Sequence, residues 1–138
     1  MKLKIFISFM LLSIAAFAGT TPNAAVLKTF NEKFPTATDV KWSMENKTEY
    51  EADFKRDGKT VSANFKEDGS WVETEMVIEQ KDLPAGVMDY INKNYAGATI
   101  KETARIDKSG STVYEVEIKG EAYLFDESGK FLGESEEE

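Results

Sequence analysis

Between residues 49 and 75 polar and apolar side chains alternate with a period of two, and Asp57-Gly58 and Asp68-Gly69 punctuate the alternation. Asp-Gly between alternating hydrophobic residues is the strongest short-range hairpin signal, so the stretch reads as a three-stranded antiparallel meander with two two-residue turns. The first turn sets Phe54 opposite Val61, Ala52 opposite Ala63 and Tyr50 opposite Phe65. The second sets Phe65 opposite Val72, Ala63 opposite Thr74 and Val61 opposite Met76. Because successive side chains of a strand point to opposite faces, Tyr50, Ala52, Phe54, Val61, Ala63, Phe65, Val72 and Met76 share one face. Glu49, Glu51, Asp53, Ser62, Asn64, Lys66, Trp71, Glu73 and Glu75 share the other. One face is core; the other is acidic and carries a tryptophan.

A helical period precedes the meander. Val26, Leu27, Phe30 and Phe34 form one stripe, with Thr21 suited to the N-cap and Pro22 to the first helical position. The helix should end near Phe34-Pro35. A first strand follows around residues 40–44, with a turn near Asn46-Lys47. Trp42 faces outward if that turn has two residues and inward if it has three.

The same pattern then recurs. A shift of 61 positions lays Val26, Leu27, Phe30 and Phe34 on Val87, Met88, Ile91 and Tyr95, and with small drifts Phe65 to Trp71 matches Phe125 to Phe131. Turns at Lys119-Gly120 and Ser128-Gly129 place Tyr114, Val116, Ile118, Tyr123, Phe125 and Leu132 in the core. They leave Glu115, Glu117, Ala122, Leu124, Asp126, Phe131 and Gly133 facing away, and the loop at residues 107–111 joins the second half's first two strands. The expected fold is α+β: two tandem repeats, residues 19–80 and 81–133, each a helix on a four-stranded antiparallel meander, followed by a frayed acidic tail at 134–138.

Composition adds a compartment. Lys2 and Lys4 precede an apolar or small run from Ile5 that ends in Ala16-Phe17-Ala18, the pattern of a secretory signal peptide cleaved before Gly19. The run is too short for a membrane span, which needs about 20 apolar residues, and no cysteine follows it to carry a lipid. Removal of 18 of the 138 residues leaves 120 and, with Lys2 and Lys4 gone, takes the formal charge from −8 to −10. A chain so acidic repels nucleic acid and anionic membranes and favours a basic partner. The absence of histidine excludes Ser-His-Asp and Cys-His nucleophile systems, His-bearing zinc sites and histidine switches, and the absence of cysteine excludes disulfides.

The set Lys33-Phe34-Pro35-x-Ala37, Val40-Lys41-Trp42, Tyr50-Glu51-x-x-Phe54, Asp57-Gly58, Phe65-x-x-Asp68-Gly69-x-Trp71 and Leu83-Pro84 resembles the PepSY-like, beta-lactamase-inhibitor-like family of exported Bacteroidetes proteins. The resemblance implies helices on the convex side of a curved sheet, a concave face left free, and a protein-binding or peptidase-regulating role. In the second half Ala96 stands where the family has proline, and Thr103, or Glu102 if the drift starts early, stands where the first half has Trp42. The resemblance brings no catalytic set and no cofactor.

Three chemistries follow from these residues. The first is a partner-binding surface on the outward sheet face, with Trp71, Phe131 and Leu124 as apolar anchors amid Glu49, Glu51, Asp53, Glu73, Glu75, Glu115 and Glu117. The second is carboxylate-based glycoside cleavage by a pair such as Glu51 and Glu73, which needs one carboxyl of raised pKa in a partly apolar cleft; acids alternating on an open sheet should instead ionise normally. The third is cation binding: diffuse on the acidic face, or specific calcium at Asp107-x-Ser109-Gly110-Ser111 and Asp126-x-Ser128-Gly129. In both loops glycine comes fourth, whereas a helix-loop-helix calcium site wants it sixth. The reading is therefore a non-catalytic exported module that binds a protein or peptide, of the inhibitor or regulator kind, without metal or cofactor. Its edge strands leave room for self-association.

Overall fold

The computed structural model describes residues 19–136. Their elements run α1 (Ala24–Lys33), β1 (Thr38–Met44), β2 (Glu49–Arg56), β3 (Lys59–Lys66), β4 (Trp71–Val77), a 3₁₀ turn (Gln80–Asp82), α2 (Val87–Asn94), β5 (Ile100–Lys108), β6 (Ser111–Ile118), β7 (Glu121–Asp126) and β8 (Phe131–Glu136). The signal-peptide expectation for residues 1–18 lies outside the described residues, as do Glu137 and Glu138.

Two hairpins follow the alternation closely. Asp57 and Gly58 have φ of 51° and 77°, and Lys119 and Gly120 have 56° and 82°, the paired positive values of a type I′ turn. Register follows from the turn: Phe54 faces Val61, Ala52 faces Ala63 and Tyr50 faces Phe65. Across the second, Ile118 faces Glu121, Val116 faces Tyr123 and Tyr114 faces Phe125.

The other two glycine turns differ from expectation by one residue. Gly69 alone has positive φ, its N–H donates to the Lys66 carbonyl and the Lys66 N–H donates to the Ser70 carbonyl, so Glu67, Asp68 and Gly69 form a three-residue loop closed by a left-handed glycine. The Asp68 carboxylate shapes it by accepting from the Ser70 amide and hydroxyl. Lys66 then faces Ser70 and Phe65 faces Trp71, after which Val72 is an extra residue in a bulge and Asn64 faces Glu73. The same construction at Asp126 to Lys130 sets Phe125 opposite Phe131, with Leu132 extra and Leu124 opposite Gly133. Loop and bulge cancel, so Ala63 still meets Thr74 and Val61 still meets Met76. Only the residue between them changes sides. Trp71 and Phe131, expected on the outward face, therefore stand on the helix side.

The helices close the two cores. Asn23, rather than Thr21, caps α1: its side-chain oxygen accepts from the Val26 amide at 3.0 Å, and its Nδ2 donates to the Glu67 carbonyl at 2.8 Å, tying the helix start to the β3–β4 loop. Phe30 is the hub of this core, with ring centroids 5.0 Å from Trp42, 5.2 Å from Phe54, 5.6 Å from Phe34 and 6.1 Å from Phe65. Trp42 faces Ala52 and so lies inward. In the other core Val87 and Ile91 of α2 meet Val116, Ile118, Tyr123 and Phe125. Thr103, facing Val116, is buried and donates its hydroxyl to the Ile78 carbonyl at 2.7 Å. A polar residue at a buried position needs such a partner.

The chain divides between Met76 and Val77 into two compact units. The expected architecture of two repeats, each with a four-stranded meander of its own, is corrected by the sheet: all eight strands hydrogen-bond in chain order, β1 to β8, as one antiparallel meander carrying only two α-helices. A strand left at the end of a four-stranded meander would present a row of unpaired N–H and C=O groups, and no tight turn marks where such a row finds its partner. The expected tail is corrected as well, since Glu134 and Ser135 pair with Tyr123 and Ala122, and β8 continues to Glu136.

Loop and helix start also touch directly. A Cβ on Gly129 would lie 2.2 Å from the Ala85 carbonyl oxygen, and one on Gly69 2.7 Å from that of Ala25. Gly110 has a similar φ, 78° against 83° at Gly129, but open space around it. Gly110→Ala thus reports backbone strain alone, and Gly129→Ala reports strain plus collision. Urea unfolding should show Gly129→Ala less stable than Gly110→Ala by at least about 1 kcal/mol; equal losses would mean the loop does not rest on the start of α2.

Candidate partner-binding surface

With the helix-side positions assigned, the register lays out the opposite side of each unit. In the first, one row runs Ser43, Glu51, Asn64, Glu73 and the next Lys41, Asp53, Ser62, Glu75. In the second, the rows are Glu102, Glu117, Ala122, Ser135; then Ala104, Glu115, Leu124, Gly133; then Ile106, Val113, Asp126. Alternation alone thus brings Glu51, Asp53, Glu73 and Glu75 together, and separately Glu115, Glu117 and Leu124. Glu49 is half-buried at the start of β2, opposite Lys66.

Trp71 and Phe131 are not among them. Trp71 packs on the α1 core, with the Lys33 ammonium 3.8 Å above its ring centroid and its indole N–H donating to Thr74 Oγ1 at 2.9 Å. Phe131 stacks on Tyr90 of α2 at 4.6 Å with planes 17° apart. Both rings are half-buried against the helix-side cores, so neither stands on the face turned away from the helices. Leu124 keeps the expected face but is buried, clustered with Ile106 and Val113.

The carboxylates are less wet than alternation suggests. Glu73, Glu75, Glu115 and Glu117 are all buried, the last only 1 % exposed, and Glu51 and Asp53 are half-buried. All four buried acids stand on strands paired on both sides, where neighbouring backbones lie about 4.8 Å away and hem in the side chain. A desolvated carboxylate calls for a cation or hydrogen bonds. Lys101 supplies one, its Nζ 2.7 Å from Glu117 Oε1.

Ionisation responds accordingly. Burial, then a hydrogen bond with Glu45, then the charges of Asp53 and Glu45 push the Glu51 carboxyl up to about 8, against a smaller opposing effect of the Ser43 side chain. Burial and the Glu45 charge push Asp53 up while Lys41 opposes, and burial and the Glu117 charge push Glu102 up while Lys101 opposes. The expectation that all these acids ionise normally is therefore corrected.

The two suspected calcium loops have other occupations. The Asp126 carboxylate accepts from the amides of Ser128 and Lys130 and from the Ser128 hydroxyl, which holds it below the usual carboxylate range. Asp107 accepts from Arg105 Nε at 3.0 Å and 3.2 Å and from Thr112 Oγ1 at 2.8 Å. Among the described residues no group of three or more acidic, histidine or cysteine side chains is arranged to hold a metal ion.

Sequence reading missed Glu45, Lys41, Lys101 and Glu102 as members of these faces, and Ile106 and Val113 as an apolar patch. A two-residue turn at Ser109-Gly110 would have revealed the last two: Lys108 faces Ser111 across it, which carries Ile106 to Val113 and Ala104 to Glu115.

An antiparallel sheet with one helix packed on it in each unit invites comparison with proteins of known structure. The family model described as "Putative beta-lactamase-inhibitor-like, PepSY-like" matches residues 48–133, and the chain belongs to that family. Its fold is similar to that of a BLIP-like protein from Bacteroides fragilis, with TM-score 0.74 and 23 % identity over 86 % of this chain and 88 % of that one. A DUF2874 family protein from Bacteroides ovatus superposes with TM-score 0.77 and 21 % identity, covering 85 % of this chain and 89 % of that one. A protein from Bacteroides eggerthii described as periplasmic gives TM-score 0.76 and 19 % identity, covering 84 % and 89 %. No curated protein matches the chain.

The raised Glu51 carboxyl makes stability depend on pH. A pKa raised on folding means the fold favours the protonated form, so this contribution is fully present below the ordinary value of 4.5 and is lost as pH rises through about 8. Glu51→Gln, which stays neutral, should flatten the fall in urea midpoint between about pH 5 and about pH 9. A variant that loses stability as steeply as the parent over that range would contradict the assignment.

Proposed function

We propose that the chain is an exported, non-catalytic module that binds a protein or peptide partner through the sheet faces opposite its helices, and acts as an inhibitor or regulator of an envelope enzyme. The observation that carries this reading is the gathering of Glu51, Asp53, Glu73 and Glu75 into two adjacent rows on one face of the first unit. Carboxylates held that closely attract a basic surface at long range, and in part they repel one another until it arrives. Glu49 at the edge of the first face belongs to that surface, and Glu115, Glu117 and Leu124 belong to a second proposed surface on the other unit's own face. The family's inhibitor-like description agrees with a binding role. Export is supported by the leader-like composition of residues 1–18 and by the periplasmic description of the Bacteroides eggerthii structure. No helix among the described residues is long and apolar enough to cross a membrane.

Cross-linking in the envelope of the native host, followed by mass spectrometry, tests the proposal. A partner should be captured by the parent, and lost from a Glu51→Gln, Asp53→Asn, Glu73→Gln variant of unchanged thermal midpoint; added salt should weaken capture as well. Undiminished capture by the variant would refute the assigned face. Substrate turnover that vanishes on a single Glu→Gln exchange would refute the non-catalytic reading.

A further inference from the structure

The two units finish their helix-side cores differently at one end. Phe34 and Tyr95 are equivalent residues, each the C-cap of its helix, with N–H groups donating to the carbonyls of Phe30 and Ile91. The pairs Tyr50 with Phe65 and Tyr114 with Phe125 align the strands beneath them. From those pairs the first hairpin runs six residues, to Arg56 opposite Lys59, and the second only four, to Ile118 opposite Glu121. The longer tip lays the Arg56 guanidinium 5.9 Å from the Phe34 ring centroid. The shorter tip has no counterpart of Arg56, and a cavity of about 560 Å³ lies there instead, lined by Tyr95, Gly97, Thr99, Lys119, Glu121 and Tyr123 among others. That volume suits a small ligand. Glu121 takes the position at which the first unit buries Val61, so the cavity carries a carboxylate and no guanidinium. The Tyr123 hydroxyl donates to Glu121 Oε2 and steadies it. Burial, then hydrogen bonds with Glu121 and with Tyr95, push that hydroxyl up, so it keeps its proton and goes on donating. Tyr95 is half-buried and Glu121 exposed, while Ile118 and Tyr123 are the buried part of the lining. Among the described residues no ammonium or guanidinium stands over the Tyr95 ring, and no ion pair joins Glu121 to Lys119.

We infer that this cavity is a binding site for a guanidinium-bearing ligand, which lies over Tyr95 as Arg56 lies over Phe34 and pairs with Glu121. A guanidinium is planar and weakly hydrated, so it gives up water for an aromatic face more readily than an ammonium does, and its fork offers a carboxylate two hydrogen bonds. The formal charge of −8 favours the approach of any cation. Lys119, the cation of the lining, opposes it locally. Tyr123 belongs to the core that α2 covers, so the site lies on the helix side, away from the carboxylate faces, and goes beyond the binding role proposed above. An arginine within a peptide and free arginine present the same chemistry.

The test titrates the full chain, isotope-labelled, with acetyl-Gly-Arg-Gly-amide and separately with free L-arginine, followed by amide chemical shifts. Shifts should concentrate at residues 95–99 and 118–123, around the cavity. A response to the tripeptide alone supports a peptide arginine as the source, a response to free arginine alone supports a small molecule, and a response to both supports the shared chemistry. Acetyl-Gly-citrulline-Gly-amide, of the same shape but uncharged, should leave these amides unmoved. Glu121→Gln should weaken binding about two- to fivefold, the span of an exposed ion pair. Lys119→Asn, which suits the left-handed φ of 56° at that turn position, should tighten it. The citrulline exchange keeps the test decisive if a variant unfolds. Equal shifts from the citrulline peptide, or none at residues 95–99 with either arginine probe, would overturn the inference. Neither result touches the envelope partner, whose capture reads the carboxylate face alone.

Discussion

A pleated strand allows a side chain only two directions, so one extra residue decides whether a ring joins the core or the surface. In this protein that decision is made by the loops at Gly69 and Gly129. Each is a three-residue turn closed by a left-handed glycine, and each rests against the carbonyl of a residue at a helix start, Ala25 in one unit and Ala85 in the other. The tight approach admits no Cβ, so glycine is required on two grounds, conformation and space. The bulge that follows, at Val72 and at Leu132, restores the register the loop displaced.

Sidedness follows from this compensation. Trp71 and Phe131 turn toward the helices and complete aromatic clusters around Phe30 and Tyr90. The opposite faces are left to carboxylates and, in the second unit, to a small aliphatic patch. Burying rings on one side stabilises the sheet, while on the other side burial and then neighbouring acids push the carboxyls of Glu51, Asp53 and Glu102 up. The proposed binding surfaces therefore lie on the side of the strands opposite the packed rings.

Much of this is legible in the residues. The Asp57-Gly58 and Lys119-Gly120 turns lead to the correct pairing of every residue from Tyr50 to Phe65 and from Tyr114 to Phe125, because a type I′ turn tolerates one register only. Asp68-Gly69 misleads because the same dipeptide also suits a type I turn closed by a left-handed glycine, and the choice rests on the Asp68 bonds to Ser70 and on the helix overhead. The resemblance to the PepSY-like family was readable from core aromatics and turns, and the family match bears it out. Partners distant in sequence were not readable: the joining of eight strands into one sheet, the Asn23 link to Glu67, and the pairing of Thr103 with Ile78 depend on contacts that no local period encodes.

The central claim, that loop and bulge together send these two rings to the helix side, is tested most directly by nuclear Overhauser contacts of the Phe131 ring. Cross-peaks to the Tyr90 ring protons, and from the Trp71 indole to the Lys33 side chain, are the expected result. Cross-peaks from Phe131 to Leu124 and Glu115 instead would place the ring on the carboxylate face and contradict the account.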